Sequence, residues 1–170
     1  ESDITNCDNP VYEVKDGSVE FTDVSFSYAK RPDKTVLDDI DLIIPSGQTV
    51  GIIGGTGSSK SSLVQLIPRL YDVTGGCVKV GGVDVRNYDL QTLRHNVAMV
   101  LQKNTLLSGT IKENLRWGNP DATDEELVHA CRLAQADDFN STFHDGYATN
   151  IEQGGTNVSG GQKQRLSIAR

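Results

Sequence analysis

Little in this sequence invites a metal or a disulfide. Its three cysteines, Cys7, Cys77 and Cys131, are odd in number and widely spaced, with no C-x-x-C pair and no Cys/His cluster. That pattern argues against a disulfide framework and a zinc site, and it suits a reducing cytosol. His95, His129 and His144 stand alone and read as solvated or hydrogen-bonded side chains. Long apolar runs are missing too. None approaches the length needed to cross a bilayer, and no signal-peptide pattern opens the chain. Positive charge is scarce: 16 Lys and Arg face 23 Asp and Glu, for a net charge of −7. A nucleic-acid binder presents a basic face or stripe, so nucleic acid is not expected as a partner. There is no internal repeat and no low-complexity block. What remains is 170 residues, 36 % hydrophobic and 23 % charged, a globular chain amounting to one domain or part of one.

One stretch carries chemistry openly. The apolar run Val50 to Ile53 leads into Gly54-Gly55-Thr56-Gly57-Ser58-Ser59, then Lys60-Ser61-Ser62, then apolar residues at helical spacing, Leu63, Leu66, Ile67 and Leu70. Strand, Gly-rich loop, Lys-Ser and helix in that order form the P-loop arrangement that holds a nucleoside triphosphate. Backbone N–H groups of the loop and helix start converge on one spot, where the helix dipole adds positive potential. Small residues let the backbone approach phosphate closely. Lys60 is placed for the β and γ phosphates, and the Ser61 hydroxyl for a Mg²⁺ coordination position. The pattern wants glycine before the lysine and this chain has Ser59, which puts a Cβ where the backbone calls for φ > 0, at about 1 kcal/mol.

Elsewhere the pattern predicts a lead-in or linker over residues 1–17, which contain Asn9-Pro10 and Asp16-Gly17. Val19-Glu-Phe21 and Val24-Ser-Phe26-Ser-Tyr28 each alternate, but their apolar phase switches, which predicts a bulge between two strand segments. Residues 30–34 read as a polar turn and Ile40 to Ile44 as another strand, turned by Pro45-Ser-Gly47 into the strand feeding the loop. Pro68 should kink or stop the following helix. Gly81-Gly82 predicts a hairpin joining Cys77–Val80 to Val83–Val85. Asp89 caps a short helix through His95. Val97 to Leu101 is an unbroken apolar run of buried-strand type ending at Gln102. Capping-box spacings start helices at Thr110, Thr123 and Ser159, with a further helical stretch from Asp137 to Phe143 and a loop from Gly146 to Thr156. The last helix opens Val158-Ser159-Gly160-Gly161-Gln162. Two glycines in a first turn are poor for propensity, about 1 kcal/mol each, and close approach of something to that backbone would account for them.

Taken together these residues resemble the nucleotide-binding domain of an ATP-binding cassette (ABC) transporter of the exporter type, over residues 18–170. Tyr28 falls where the family has an adenine-stacking aromatic, Gly54 to Ser61 matches Walker A, and Gln102 matches the Q-loop glutamine. Leu107-Ser-Gly-Thr-Ile-Lys-Glu-Asn-Leu115 is similar to the exporter stretch after the Q-loop. Val158 to Gln162 is similar to the family signature Leu-Ser-Gly-Gly-Gln. The resemblance implies an α/β P-loop fold: an N-terminal antiparallel β subdomain, a RecA-like core and a helical signature subdomain, with the C-terminal part of the core absent. It implies ATP bound by Tyr28, Gly54 to Ser62, Gln102 and Ser159 to Gln162, and Mg²⁺ held at Ser61 and Gln102. The implied partners are a second nucleotide-binding domain, head to tail, and the exporter's transmembrane domains at the cytoplasmic face of the membrane. Each signature helix would face the γ-phosphate on the partner's Walker A.

The departures are as informative. Ser59 replaces the usual glycine, Gln153 stands where glutamate is common, and His144 where proline is common. The stretch Gln153 to Gln162 looks most like one half of a heterodimeric bacterial exporter of the multidrug or lipid type. No apolar strand ending in paired carboxylates follows residue 102; Val36-Leu-Asp-Asp39 is the nearest such pair and precedes the loop. The Walker B carboxylates, D-loop and switch histidine are therefore expected beyond Arg170, and the chain alone is expected to be inactive. Bland readings stand beside the sharp ones: a core-packing aromatic for Tyr28, a strand-ending glutamine for Gln102, a ligand-free cap for Ser159. Three functions follow. The first is a transport ATPase domain; the second is a non-hydrolysing nucleotide-binding half of a heterodimer. The third is a soluble ABC-type ATPase, disfavoured by the exporter-like stretch, the acidic balance and the lack of a coiled-coil insert.

Overall fold

The phase switch between Phe21 and Val24 is where the fold begins. In the computed structural model, which describes residues 4–28, 34–101 and 103–170, a single strand β1, Val19–Phe26, absorbs it. Its register against the neighbouring strands slips around Asp23, which adopts φ 49°, so Phe21, Val24 and Phe26 all face inward. A bulge re-aims a strand in this way. β2, Leu37–Ile44, pairs antiparallel on one side of β1 and β3, Gly75–Val80, on the other, and a short fourth strand continues the sheet beyond β3. Between β2 and β3 runs the short helix α1, Lys60–Gln65, which breaks into turns before Pro68. β4, Val83–Asp84, follows a two-residue turn in which Gly81 and Gly82 have φ 56° and 78°. Both central residues of a type I′ hairpin need positive φ, which is the reason for the glycine pair.

The chain divides into two compact units, residues 1–99 and 100–170. In the first, Phe21, Val24, Phe26, Leu66, Val78 and Leu93 form the buried core, joined by Tyr88, whose hydroxyl donates to the Val80 carbonyl at 2.8 Å. Burial raises the Tyr88 pKa. Asp89 caps α2, Leu90–Asn96, by accepting from the Thr92 N–H. Within this unit, residues 4–17 lie against the sheet and α2. Val11 bridges to Tyr88, Val11 and Val14 pack on the core, and Asn6 bonds Asp89 and the Leu90 N–H.

The second unit is mainly helical. β5, Gly109–Thr110, leads into α3, Ile111–Arg116; then come α4, Asp124–Leu133, and α5, Asp137–Asn140. β6, Asn150–Ile151, pairs back to β5 inside the stretch expected to be loop, and α6, Gly160–Ala169, ends the chain. Leu106, Ile111, Leu115, Leu127, Cys131 and Leu166 are its core. All three capping boxes form, at Thr110, Thr123 and Ser159.

Two expected strands do not form. Val50 to Ile53 and Val97 to Leu101 have no sheet partner among the described residues, and Ile53 is 97 % exposed. A doubly buried parallel strand is stable only with hydrogen-bonded neighbours and a covering layer on each face. The described residues supply no such strand neighbours to these runs, and although Val97 packs on the core, Val100 and Leu101 stay exposed. Among the described residues no helix is long and apolar enough to cross a membrane.

Two expectations test this architecture. Gly76 has φ 70°, and a Cβ there would lie 2.3 Å from the Thr22 and Asp23 carbonyl oxygens. Gly76→Ala should therefore destabilise far more than Gly82→Ala, where no atom of the described residues lies within 4 Å and about 1 kcal/mol of backbone strain remains. Equal urea midpoints for the two variants would contradict the β1–β3 pairing. The second concerns acid. Glu113 and Glu126 sit below the ordinary 4.5, chiefly because the Thr110 and Thr123 N–H groups donate to them, then through the threonine hydroxyls. A depressed folded pKa adds stability above the unfolded value that disappears as pH falls through the folded one. The Glu113→Gln/Glu126→Gln double variant should thus lose less stability than the parent between pH 5 and pH 3, read from unfolding midpoints.

Candidate functional site

The loop after Ile53 curls around an amine. Lys60 Nζ donates to the Gly54 and Gly55 carbonyls, both at 2.7 Å, and to Ser58 Oγ at 2.9 Å. Ser58 in turn donates to the Gly55 carbonyl from its hydroxyl at 2.8 Å and from its N–H at 3.3 Å. The turn needs left-handed backbone twice, at Gly57 with φ 82° and at Ser59 with φ 60°. Ser59 is the residue before α1 and makes no side-chain cap bond. Its side chain therefore does not offset the strain that the sequence predicted for that position. Among the described residues the N–H groups of Gly57, Ser59, Lys60, Ser61 and Ser62 make no hydrogen bond. The loop thus combines one ammonium with a run of unengaged backbone donors, the ingredients of an anion cradle. The Ser61 hydroxyl is exposed and, among the described residues, also makes no hydrogen bond, so a hard oxygen donor for a cation such as Mg²⁺ is present.

Tyr28 belongs to the same unit. It lies two residues beyond β1, and its hydroxyl reaches Ser62 Oγ at 2.8 Å and Gln65 Oε1 at 3.3 Å, both on α1. Its ring meets Phe26 edge-on at 4.8 Å and Tyr71 at 5.0 Å. About half of Tyr28 remains exposed. Tyr71 escaped the sequence reading because an aromatic after a broken helix has no motif of its own.

In the second unit, Ser159 and Gln162 are engaged with each other. Ser159 N–H donates to Gln162 Oε1 at 2.8 Å, and Gln162 N–H to Ser159 Oγ at 3.2 Å. Among the described residues a Cβ at Gly160 or Gly161 would meet nothing within 4 Å, and neither has positive φ. Neither packing among the described residues nor backbone conformation requires those glycines. The exporter-like stretch is pinned by a residue the sequence reading passed over. Buried Asn114 accepts from the Leu107 N–H at 2.8 Å and donates to the Leu107 and Thr110 carbonyls at 2.9 and 3.0 Å. Gln102 lies outside the described residues. Tyr28 and residues 54–62 are thus brought together on one unit, and Ser159 to Gln162 form a separate helix start on the other.

The sequence profile of the ABC transporter family matches residues 37–170, and the chain belongs to that family. It is 48 % identical over 154 residues to "Putative multidrug export ATP-binding/permease protein YgaD" of Bacillus subtilis, covering 91 % of this chain and 26 % of that protein. A Staphylococcus aureus protein of the same description, from strain NCTC 8325, is 44 % identical over 158 residues, covering 93 % and 27 %. Among solved structures, a bacterial Atm1-family ABC exporter with ATP bound matches with TM-score 0.91 and 31 % identity, covering 98 % of this chain and 29 % of that one. The α/β ABC ATPase fold expected from the sequence is therefore established, and the chain spans about a quarter of the length of the curated relatives it matches.

The strain at Ser59 is measurable. Ser59→Gly should raise the thermal midpoint slightly, by no more than about 1 kcal/mol of stability. Ser59→Val, β-branched in a left-handed position, should lower it by more than that. A valine variant as stable as the parent would contradict the positive φ.

Proposed function

We propose that this chain is the ATP-binding domain of an ABC exporter, holding MgATP at residues 54–62 and, in the intact dimer, coupling its hydrolysis to transport. The observation that carries the reading is the Lys60 ammonium, caged by three loop oxygens within 2.9 Å beside backbone N–H groups that bond to nothing described. The names of the relatives, which speak of multidrug export and ATP binding, support it.

The division of labour follows from the chemistry of each group. Lys60 exchanges its loop oxygens for β- and γ-phosphate oxygens, a stronger charge-assisted pairing. The N–H groups from Gly57 to Ser62 donate to the same phosphates, and Gly54, Gly55 and Thr56 keep the loop small enough for close approach. Ser61 would hold Mg²⁺, which when bound neutralises phosphate charge, with Gln102 as the second protein ligand. Tyr28 offers a ring face to adenine. Ser159 to Gln162 serve the γ-phosphate on a partner nucleotide-binding domain. There Gly160 and Gly161 admit the phosphate, which would explain glycines that nothing among the described residues demands. The transmembrane domains of the exporter are the second partner, at the cytoplasmic face of the membrane. Turnover belongs to the assembled dimer of intact chains, because no apolar run ending in paired carboxylates follows residue 102 in this sequence.

Two observations favour a second reading, a non-hydrolysing half of a heterodimer. Ser59 strains the loop at φ 60°, and Gln153 replaces a carboxylate common in exporters. Both readings keep ATP binding.

Lys60→Ala should weaken MgATP binding at least about 10-fold, as expected for loss of a charged hydrogen-bond donor, measured by equilibrium dialysis. Unchanged binding would remove the reading. Purified residues 1–170 should release no phosphate from ATP above background, and sustained turnover would contradict the assignment of hydrolysis to the dimer.

A further inference from the structure

We propose that Ser62, Gln65 and Tyr71 are positioning residues for Tyr28, so that the nucleobase platform and the phosphate loop move as one piece. The inference rests on the nucleotide reading above and goes beyond it. Stacking needs only an aromatic face, and phenylalanine would supply one. The Tyr28 hydroxyl therefore wants its own explanation, and its partners give it. The hydroxyl has one proton, donated to Gln65 Oε1 at 3.3 Å, an acceptor that cannot donate back. The 2.8 Å contact with Ser62 must then run the other way, with the serine hydroxyl donating to the phenol oxygen. Ser62 is buried and sits two residues after Lys60 in the first turn of α1. The ring is thus tied to the same helical turn that carries the lysine.

Its edge is fixed as well. Phe26, Tyr28 and Tyr71 form a closed triangle, with centroid distances of 4.8, 5.0 and 5.6 Å. Tyr71 is itself held. Its neighbours Arg69 and Asp72 form a two-point ion pair at 2.7 and 3.2 Å, and Arg94 donates to the Arg69 and Pro68 carbonyls at 2.8 and 3.2 Å. A ring with two hydroxyl tethers and two edge contacts has little rotamer freedom left to lose when a base stacks on it. That is preorganisation, and it acts on the base and not on the phosphates.

The test contrasts a ligand that has a base with one that lacks it. Calorimetric titration of MgATP and of magnesium tripolyphosphate would be done on the full-length protein carrying this chain, as parent, Tyr28→Phe, Gln65→Leu and the double variant. Phenylalanine keeps the ring, and Gln65 lies on α1 beyond the loop at residues 54–62. Each single variant should weaken MgATP about 3- to 10-fold, the range of one lost hydrogen bond. Tripolyphosphate affinity should be unchanged, and the double variant should be no worse than Tyr28→Phe alone. Unchanged ATP affinity, equal losses for both ligands, or additive losses would each overturn the inference. Equal losses would mark a general disturbance of α1. A parent that binds neither ligand would bring down the nucleotide reading and this inference with it, whereas a parent that binds both with unaffected variants would bring down the inference alone.

Discussion

The first unit depends on the pairing of β1 with a neighbour on each side. β1 is the only element of the four-stranded sheet with both edges bonded to long partners, β2 and β3. Its three inward residues, Phe21, Val24 and Phe26, are nearly inaccessible, and burying side chains of this size stabilises by about 1.5–3 kcal/mol each. The bulge at Asp23 is what lets all three face one side, and Gly76 is what lets β3 lie against it. The same geometry settles where Tyr28 stands. A strand held on both edges has one exit direction, and here the exit brings the phenol within bonding distance of α1.

Electrostatics then distinguishes the loop from an ordinary glycine turn. A lysine on an acidic chain would normally keep its ammonium in water, where hydration is strongest. Lys60 instead bonds three oxygens of the turn that precedes it. The arrangement satisfies the amine without neutralising it, since carbonyls and a hydroxyl bring no formal charge. A phosphate group competes for the amine with advantages the loop oxygens lack: full negative charge and acceptors for the neighbouring N–H groups. The loop's conformation requires the left-handed Ser59, so the backbone strain falls on the residue next to the lysine.

Much of this was legible in advance because it is local. Helix starts were readable from Thr110, Thr123 and Ser159 because a capping box is a four-residue event, and all three formed. The Gly81-Gly82 hairpin and the stop at Pro68 are equally short-range. The β1 bulge was readable because a phase switch leaves a trace in the alternation. The misses are non-local. Val50 to Ile53 and Val97 to Leu101 carry strong strand patterns, yet a strand exists only with partners, which no pattern within four or five residues can guarantee. The β5–β6 pair escaped because two residues on each strand leave no periodicity. Tyr71 and Asn114 were passed over for a related reason. One is defined by a ring from a distant strand and the other by the carbonyls of a loop, and neither relation has a sequence spacing. Within the candidate site, the loop residues followed from a motif, whereas the bond from Tyr28 to Ser62 links positions 34 residues apart.

If residues 54–62 form a backbone cradle for a nucleoside triphosphate, their amide hydrogens report on it directly. Hydrogen exchange of the full-length protein with and without MgATP should show strong protection at Gly57 and at Ser59 to Ser62, whose N–H groups make no hydrogen bond among the described residues without ligand. Exchange at these positions that is unchanged at saturating MgATP would contradict the account.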